Sequence, residues 1–165
     1  MKKKWFFLVP CFLLSCSTQP YIKQYTLSSG ATMYFLPAST WMGNDISIDI
    51  DFNFKSDAHI ETICNINIRQ KGKLPRGLSS VTLKADSIDY SLYDIKILSV
   101  DSRTNTVRIT SKLSHDTFLQ VMQSKDLSLN IIIEGVPYAC IPSEAFLILQ
   151  REFQNNYFEI EHILQ

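Results

Sequence analysis

Apolar and polar residues alternate without a break from Asp45 to Phe54. Ile46, Ile48, Ile50, Phe52 and Phe54 fall on one side, and Asp45, Ser47, Asp49, Asp51 and Asn53 on the other. A strict period of two is a strand with one dry face and one wet face. It predicts an antiparallel sheet with one side on a core, because a parallel sheet covered on both faces would not alternate. The pattern recurs at Ile60, Thr62, Cys64, Ile66 and Ile68, interrupted by an extra Ile63. Shorter runs follow at 81–83, 88–92 and 95–100, and the turn-like residues 101–105 lead into Val107 and Ile109. Residues 28–30 separate 21–27 from 32–36 as a further hairpin. Leu127–Ile133, Glu134-Gly135 and residues 136–141 read as another, with Pro137 assigning its second strand to an edge.

The period changes late in the chain. Ser114 stands as an N-cap before His115, Leu113 can staple onto Phe118, and Asp116 suits the positive end of a helix. Phe118, Leu119, Val121 and Met122 then form one stripe. After Pro142, Ser143 is placed to cap a second helix carrying Ala145, Phe146, Leu149 and Phe153 on one face. The tail, 157–164, fits either a continued helix or a strand. Together these elements predict a mainly β fold: a single antiparallel β-sandwich, or sandwich-like barrel, with two short helices near the C-terminus.

Residues 1–16 follow neither period. Lys2, Lys3 and Lys4 precede a run from Trp5 to Leu14 that is almost wholly apolar. A basic head and a short apolar stretch have the form of a secretory signal peptide. The stretch is too short to span a membrane as a helix, which takes about 20 apolar residues. It ends Leu13-Leu14-Ser15-Cys16, which resembles the lipobox of bacterial lipoproteins. That resemblance implies a diacylglyceryl thioether on Cys16 and cleavage before it. Two or three acyl chains on one residue make a durable anchor, whereas one chain binds only marginally. Ser17, where some lipoproteins carry Asp, resembles an outer-membrane address facing the periplasm. The expected organisation is a signal peptide at 1–15, lipidated Cys16 with a tether to residue 24, and one domain over 25–165.

Loss of that leader alters both charge and cysteine content. The full chain balances 16 Lys+Arg against 16 Asp+Glu, so removing three lysines leaves a slightly acidic domain. Nucleic acid, which favours a basic patch and a high pI, is not an expected partner. With Cys11 gone and Cys16 lipidated, Cys64 and Cys140 remain. An exported compartment permits a disulfide between them, but free cysteines are also among the most buried residues. Both lie in apolar strand-like runs, which favours core positions.

Candidate chemistry is sparse. Asp49-x-Asp51-x-Asn53 opens like a calcium loop, but the required Gly and Glu positions hold Phe54 and Ile60. His59, His115 and His162 are far apart and belong to no metal-ligand spacing. Neither G-x-S-x-G nor S-x-x-K occurs, and five glycines in all make no phosphate loop. No catalytic residue, metal or cofactor is therefore expected. One charge cluster remains: Arg69, Lys71, Lys73 and Arg76, between two strand candidates with no acid among them. Clustered cations on a loop suit phosphate or carboxylate groups, although a solvated loop has the same composition. Trp41-Met42-Gly43 is a possible second contact patch, with Trp41 better read as core.

The expected function is a non-enzymatic binding or scaffolding module, held to the membrane by lipid on Cys16, with an envelope protein or polymer as partner. Two alternatives stand beside it. One is an envelope hydrolase whose site is built from scattered residues. The other is a fimbria-like subunit that self-assembles through an exposed strand edge.

Overall fold

The computed structural model describes residues 21–56 and 61–164, with 158–164 as helical backbone alone. The leader, Cys16 and His59 lie outside the described residues. Within it the alternating segments pair antiparallel throughout. The strands are β1 (Lys23–Thr26), β2 (Thr32–Gly43), β3 (Ile46–Lys55), β4 (Glu61–Gln70) and β5 (Leu78–Ala85). They continue as β6 (Ile88–Ser91), β7 (Tyr93–Asp101), β8 (Thr106–Ser114), β9 (Leu127–Ile133) and β10 (Val136–Pro142). One sheet holds them in the order β6-β5-β9-β10-β2-β3-β4-β8-β7, with β1 beside β2. β1 begins at Lys23, inside the segment expected to be tether.

The sheet curls into a half-barrel, and the chain path accounts for the curl. Its two edges, β6 and β7, are consecutive in sequence and separated only by Leu92. The Leu92 N–H donates to the Val81 carbonyl of β5 at 3.0 Å. A sheet whose opposite edges are joined by one residue cannot lie flat.

Register carries the core. Ile48 faces Ile68, Ile50 faces Ile66 and Phe52 faces Cys64, and across the next ladder Ile66 faces Ile109 and Ile68 faces Val107. All are buried. Each such side chain contributes about 1.5–3 kcal/mol relative to exposure, and a one-residue slip would turn the whole set outward. β2 is broken by a register shift between Leu36 and Ser39, around Pro37. A bulge tolerates proline, which lacks the N–H for a ladder bond. On the side of β2 away from β3, β1 pairs with the first part and β10 with the last.

Pro137 does not mark an edge strand: β10 lies between β9 and β2. Pairing with β2 spans only Cys140–Pro142, because β2 ends at Gly43. Pro137 thus sits where the strand has a neighbour on one side only, opposite Ile132 of β9.

Helix α1 (His115–Gln123) starts as expected. The Thr117 N–H donates to Ser114 Oγ at 3.1 Å, and Leu113 and Phe118 are both buried. Helix α2 (Glu144–Leu164) is longer than expected and settles the tail as helix. The Ser143 hydroxyl does not cap it. The amides of Phe146 and Leu147 bond to the Ser143 carbonyl instead, and Ser143 Oγ is buried with no hydrogen-bond partner among the described residues. Ala145 is exposed, while Phe146, Leu149 and Phe153 face inward. Phe146 meets Trp41 edge-on at 4.8 Å. Phe153 and Tyr157 stack and reach Phe54 and Phe118, so the helices fill the inside of the curl.

Candidate functional site

The cationic residues of 69–76 do not act as one patch. Arg69, near the end of β4, pairs with Asp49 of β3. Lys71 lies 4.0 Å from Asp45, and Lys73 lies 3.3 Å from Glu134. Arg76 alone has no ion-pair partner among the described residues. Exposed pairs of this kind contribute only about 0–1 kcal/mol each, so their effect is to hold the loop rather than to stabilise the fold.

Backbone bonds do the rest of the holding. The Lys71 N–H donates to the Asp45 carbonyl at 2.9 Å, and the Glu134 N–H donates to the Gly77 carbonyl at 3.0 Å. Gly77, at φ +57°, takes a left-handed conformation that glycine adopts at little cost. The loop after β4 is thereby clamped to the β9–β10 turn. Pro75 is buried beneath it and Leu74 is half-buried.

Under that loop lies a cavity of about 320 Å³. It occupies the seam of the half-barrel, bounded by Leu78 of β5, Ile133 of β9, Ile97 and Val100 of β7, and Leu74 and Arg76 of the loop. Its floor is core: Ile68, Val107 and Ile133 are nearly inaccessible, whereas Ile97 and Val100 are 63% and 53% exposed at the lip. Arg76 is the one polar or charged side chain in the lining. The slot therefore offers an apolar wall and a single cation at its mouth, with no nucleophile or acid–base pair.

A second hollow, of about 550 Å³, is lined by Met42, Asp45, Arg69, Lys71 and Thr104 among others. Its two cations are the ones already paired with carboxylates, Arg69 with Asp49 and Lys71 with Asp45.

The remaining candidates resolve into structure. Asp49 accepts from Thr40 Oγ1 at 2.7 Å and pairs with Arg69; Asp51 accepts from Asn65 at 2.7 Å and Asn53 at 3.1 Å. These carboxylates are committed to a polar ladder across β2, β3 and β4. Among the described residues, no three His, Cys, Asp or Glu side chains gather as a metal site. Cys64 and Cys140 are both buried and free, on strands separated by β2 and β3, so the possible disulfide is not formed. Burial pushes both thiols up, Cys140 to about 11; Cys64 is raised further, with a smaller push from Asp51. Trp41 is core, while its neighbour Met42 is exposed.

Three features of the site were not anticipated from sequence: the slot itself, its lip on β7, and the isolation of Arg76. Two signals were present. Leu74-Pro75 is an apolar pair inside a cationic loop, and Ile97-Leu98 breaks the alternation, leaving both residues exposed on an edge strand. A further unanticipated feature is structural. His115 is buried at the foot of α1, its Nδ1 3.3 Å from Thr62 Oγ1 and its Nε2 3.4 Å from the Tyr157 hydroxyl.

No protein-family model, curated protein or solved structure matches this chain.

Proposed function

We propose that the chain is a cell-envelope protein moored to a membrane, on the outer membrane facing the periplasm, through lipid on Cys16. On this reading it acts by binding rather than by catalysis. The observation that supports binding is the preformed slot under the loop 71–77, whose only charged lining group among the described residues is Arg76, with no ion-pair partner among them. Mooring confines the domain to a thin layer and raises its effective concentration toward anything fixed there. A small site of modest affinity is then sufficient. Three of the four cations of the 69–76 cluster already face acids, which suits a small anionic group better than a polyanion such as nucleic acid.

Metabolic labelling with a fatty-acid analogue tests the mooring. The wild-type chain is expected to take the label and Cys16→Ala to lose it. Label retained in the variant, or an intact leader on the wild type by mass spectrometry, overturns it. Crosslinking in cells tests the binding: reversing Lys71, Lys73 and Arg76 together is expected to change the neighbours captured, and unchanged neighbours would remove the loop from the role.

A second reading is favoured by β7. This edge strand exposes Ile97, Leu98 and Val100, and an apolar open edge is a template for another strand. It predicts self-assembly.

A further inference from the structure

Resting on the binding reading above, we infer that the seam slot is a site for one linear acyl chain with an anionic head. The tail lies against Ile97, Val100 and Ile133, and the head pairs with Arg76. Size limits the tail. Taking a methylene as about the size of a water molecule, roughly 30 Å³ in the liquid, a cavity of about 320 Å³ holds a row of about ten. That is most of one chain and not two side by side. The volume also falls at the small end of ligand pockets, which run from roughly 300 to 1,000 Å³.

Chemistry limits the tail further. Every lining side chain other than Arg76 is apolar, so a hydroxyl or amide carried into the slot would be desolvated without a partner. A plain hydrocarbon has no such penalty, and it would cover Ile97 and Val100, which otherwise expose apolar surface to water.

The head follows from charge. Glu134, which lies beside Gly77, pairs with Lys73 at 3.3 Å rather than with Arg76. A guanidinium presents a planar fork of N–H groups that matches a carboxylate or a phosphate with two parallel hydrogen bonds. The clamp between Gly77 and Glu134 holds the loop in place beforehand, which reduces the ordering cost of binding. A free fatty acid and a membrane phospholipid share this chemistry.

The full lipid-attached chain in phosphatidylcholine vesicles provides the test. One arm adds palmitate bearing a photoreactive diazirine on its chain, and the other places the same chain in phosphatidylglycerol. Peptide mass spectrometry locates the adducts. Adducts are expected on residues 74–78 and on Ile97 and Val100. Arg76→Glu, at an exposed position, is expected to lower the yield about tenfold, the scale of one charge-assisted hydrogen bond. Arg76→Lys, which keeps the charge and loses the fork, should fall between, and Val100→Trp should fill the slot and remove the adduct. Labelling in the palmitate arm alone identifies a free fatty acid, and in the phosphatidylglycerol arm alone a bilayer lipid; either supports the site. Adducts spread over Met42, Ile141 and other exposed apolar residues, or a yield indifferent to Arg76→Glu, overturn it. If Cys16 carries lipid and crosslinking still depends on the loop cations while no slot adduct forms, the acyl site fails and the binding reading stands.

Discussion

Two cysteines in similar sequence surroundings show how position decides reactivity. Cys64 faces Phe52 on one side and Ser111 on the other, deep in the sheet; Cys140 packs beside Gly43. Burial favours the neutral thiol in both, with Cys140 raised to about 11. A raised thiol contributes stability that is complete below the unfolded value of about 8.5 and is lost as pH climbs through the folded one. Iodoacetamide at pH 8 is expected to spare both residues in the native protein and to alkylate both in guanidinium. Raising the pH should expose Cys140 to reaction before Cys64. Rapid native alkylation of either would contradict the packing. Gly43 is the neighbouring constraint. A Cβ there would collide with the Ala139 carbonyl oxygen and come within 2.9 Å of Cys140 Sγ and Ile46 Cγ2. Only glycine allows β10 to approach the end of β2 this closely.

At the scale of elements, caps and proline show the reach of local rules. Ser114 and Ser143 precede helices in much the same way, yet one side chain caps and the other does not. Ser114 ends a strand in extended conformation, with Oγ directed at the Thr117 amide. At α2 the Ser143 carbonyl takes that part, and its hydroxyl is shut in beneath the helix. Ser114→Ala is expected to destabilise the fold by about 1 kcal/mol, and Ser143→Ala by less, because its hydroxyl has no bond to lose. Comparison of their denaturant midpoints checks the difference; equal losses would contradict the assignment. Pro137 carries the same lesson. The rule that proline avoids doubly paired strand positions holds, but the strand it sits in is interior, since β10 acquires its second neighbour only past Ala139.

At the scale of the molecule, the single-residue link at Leu92 brings the two sheet edges round to one seam, and that seam holds the slot. The same closure leaves β7 open along its outer side. Two register shifts interrupt its pairing with β8, and Lys96 lies on it. Bulges and an edge lysine discourage strand addition, which weighs against self-assembly despite the exposed Ile97 and Leu98. Sedimentation of the full chain in detergent is expected to give a monomer whose mass does not change with concentration. A concentration-dependent oligomer abolished by Leu98→Lys would favour the self-assembling reading instead.

The local content of the chain was determined by sequence alone. The strands around Ile48, Ile66 and Ile109, the hairpin turns, the Ser114 cap and the mainly β class follow from periodicity and side-chain chemistry that act over a few residues. Tertiary structure decided what depends on distant partners. The apolar run 95–100 reads as a strand but does not say that the strand is an edge. Composition gathers four cations within 69–76 but does not say that Asp49, Asp45 and Glu134 engage three of them and leave Arg76 at an apolar mouth. Burial and charge compensation are sums over neighbours brought together by the curl of the sheet, and no window of sequence contains those neighbours.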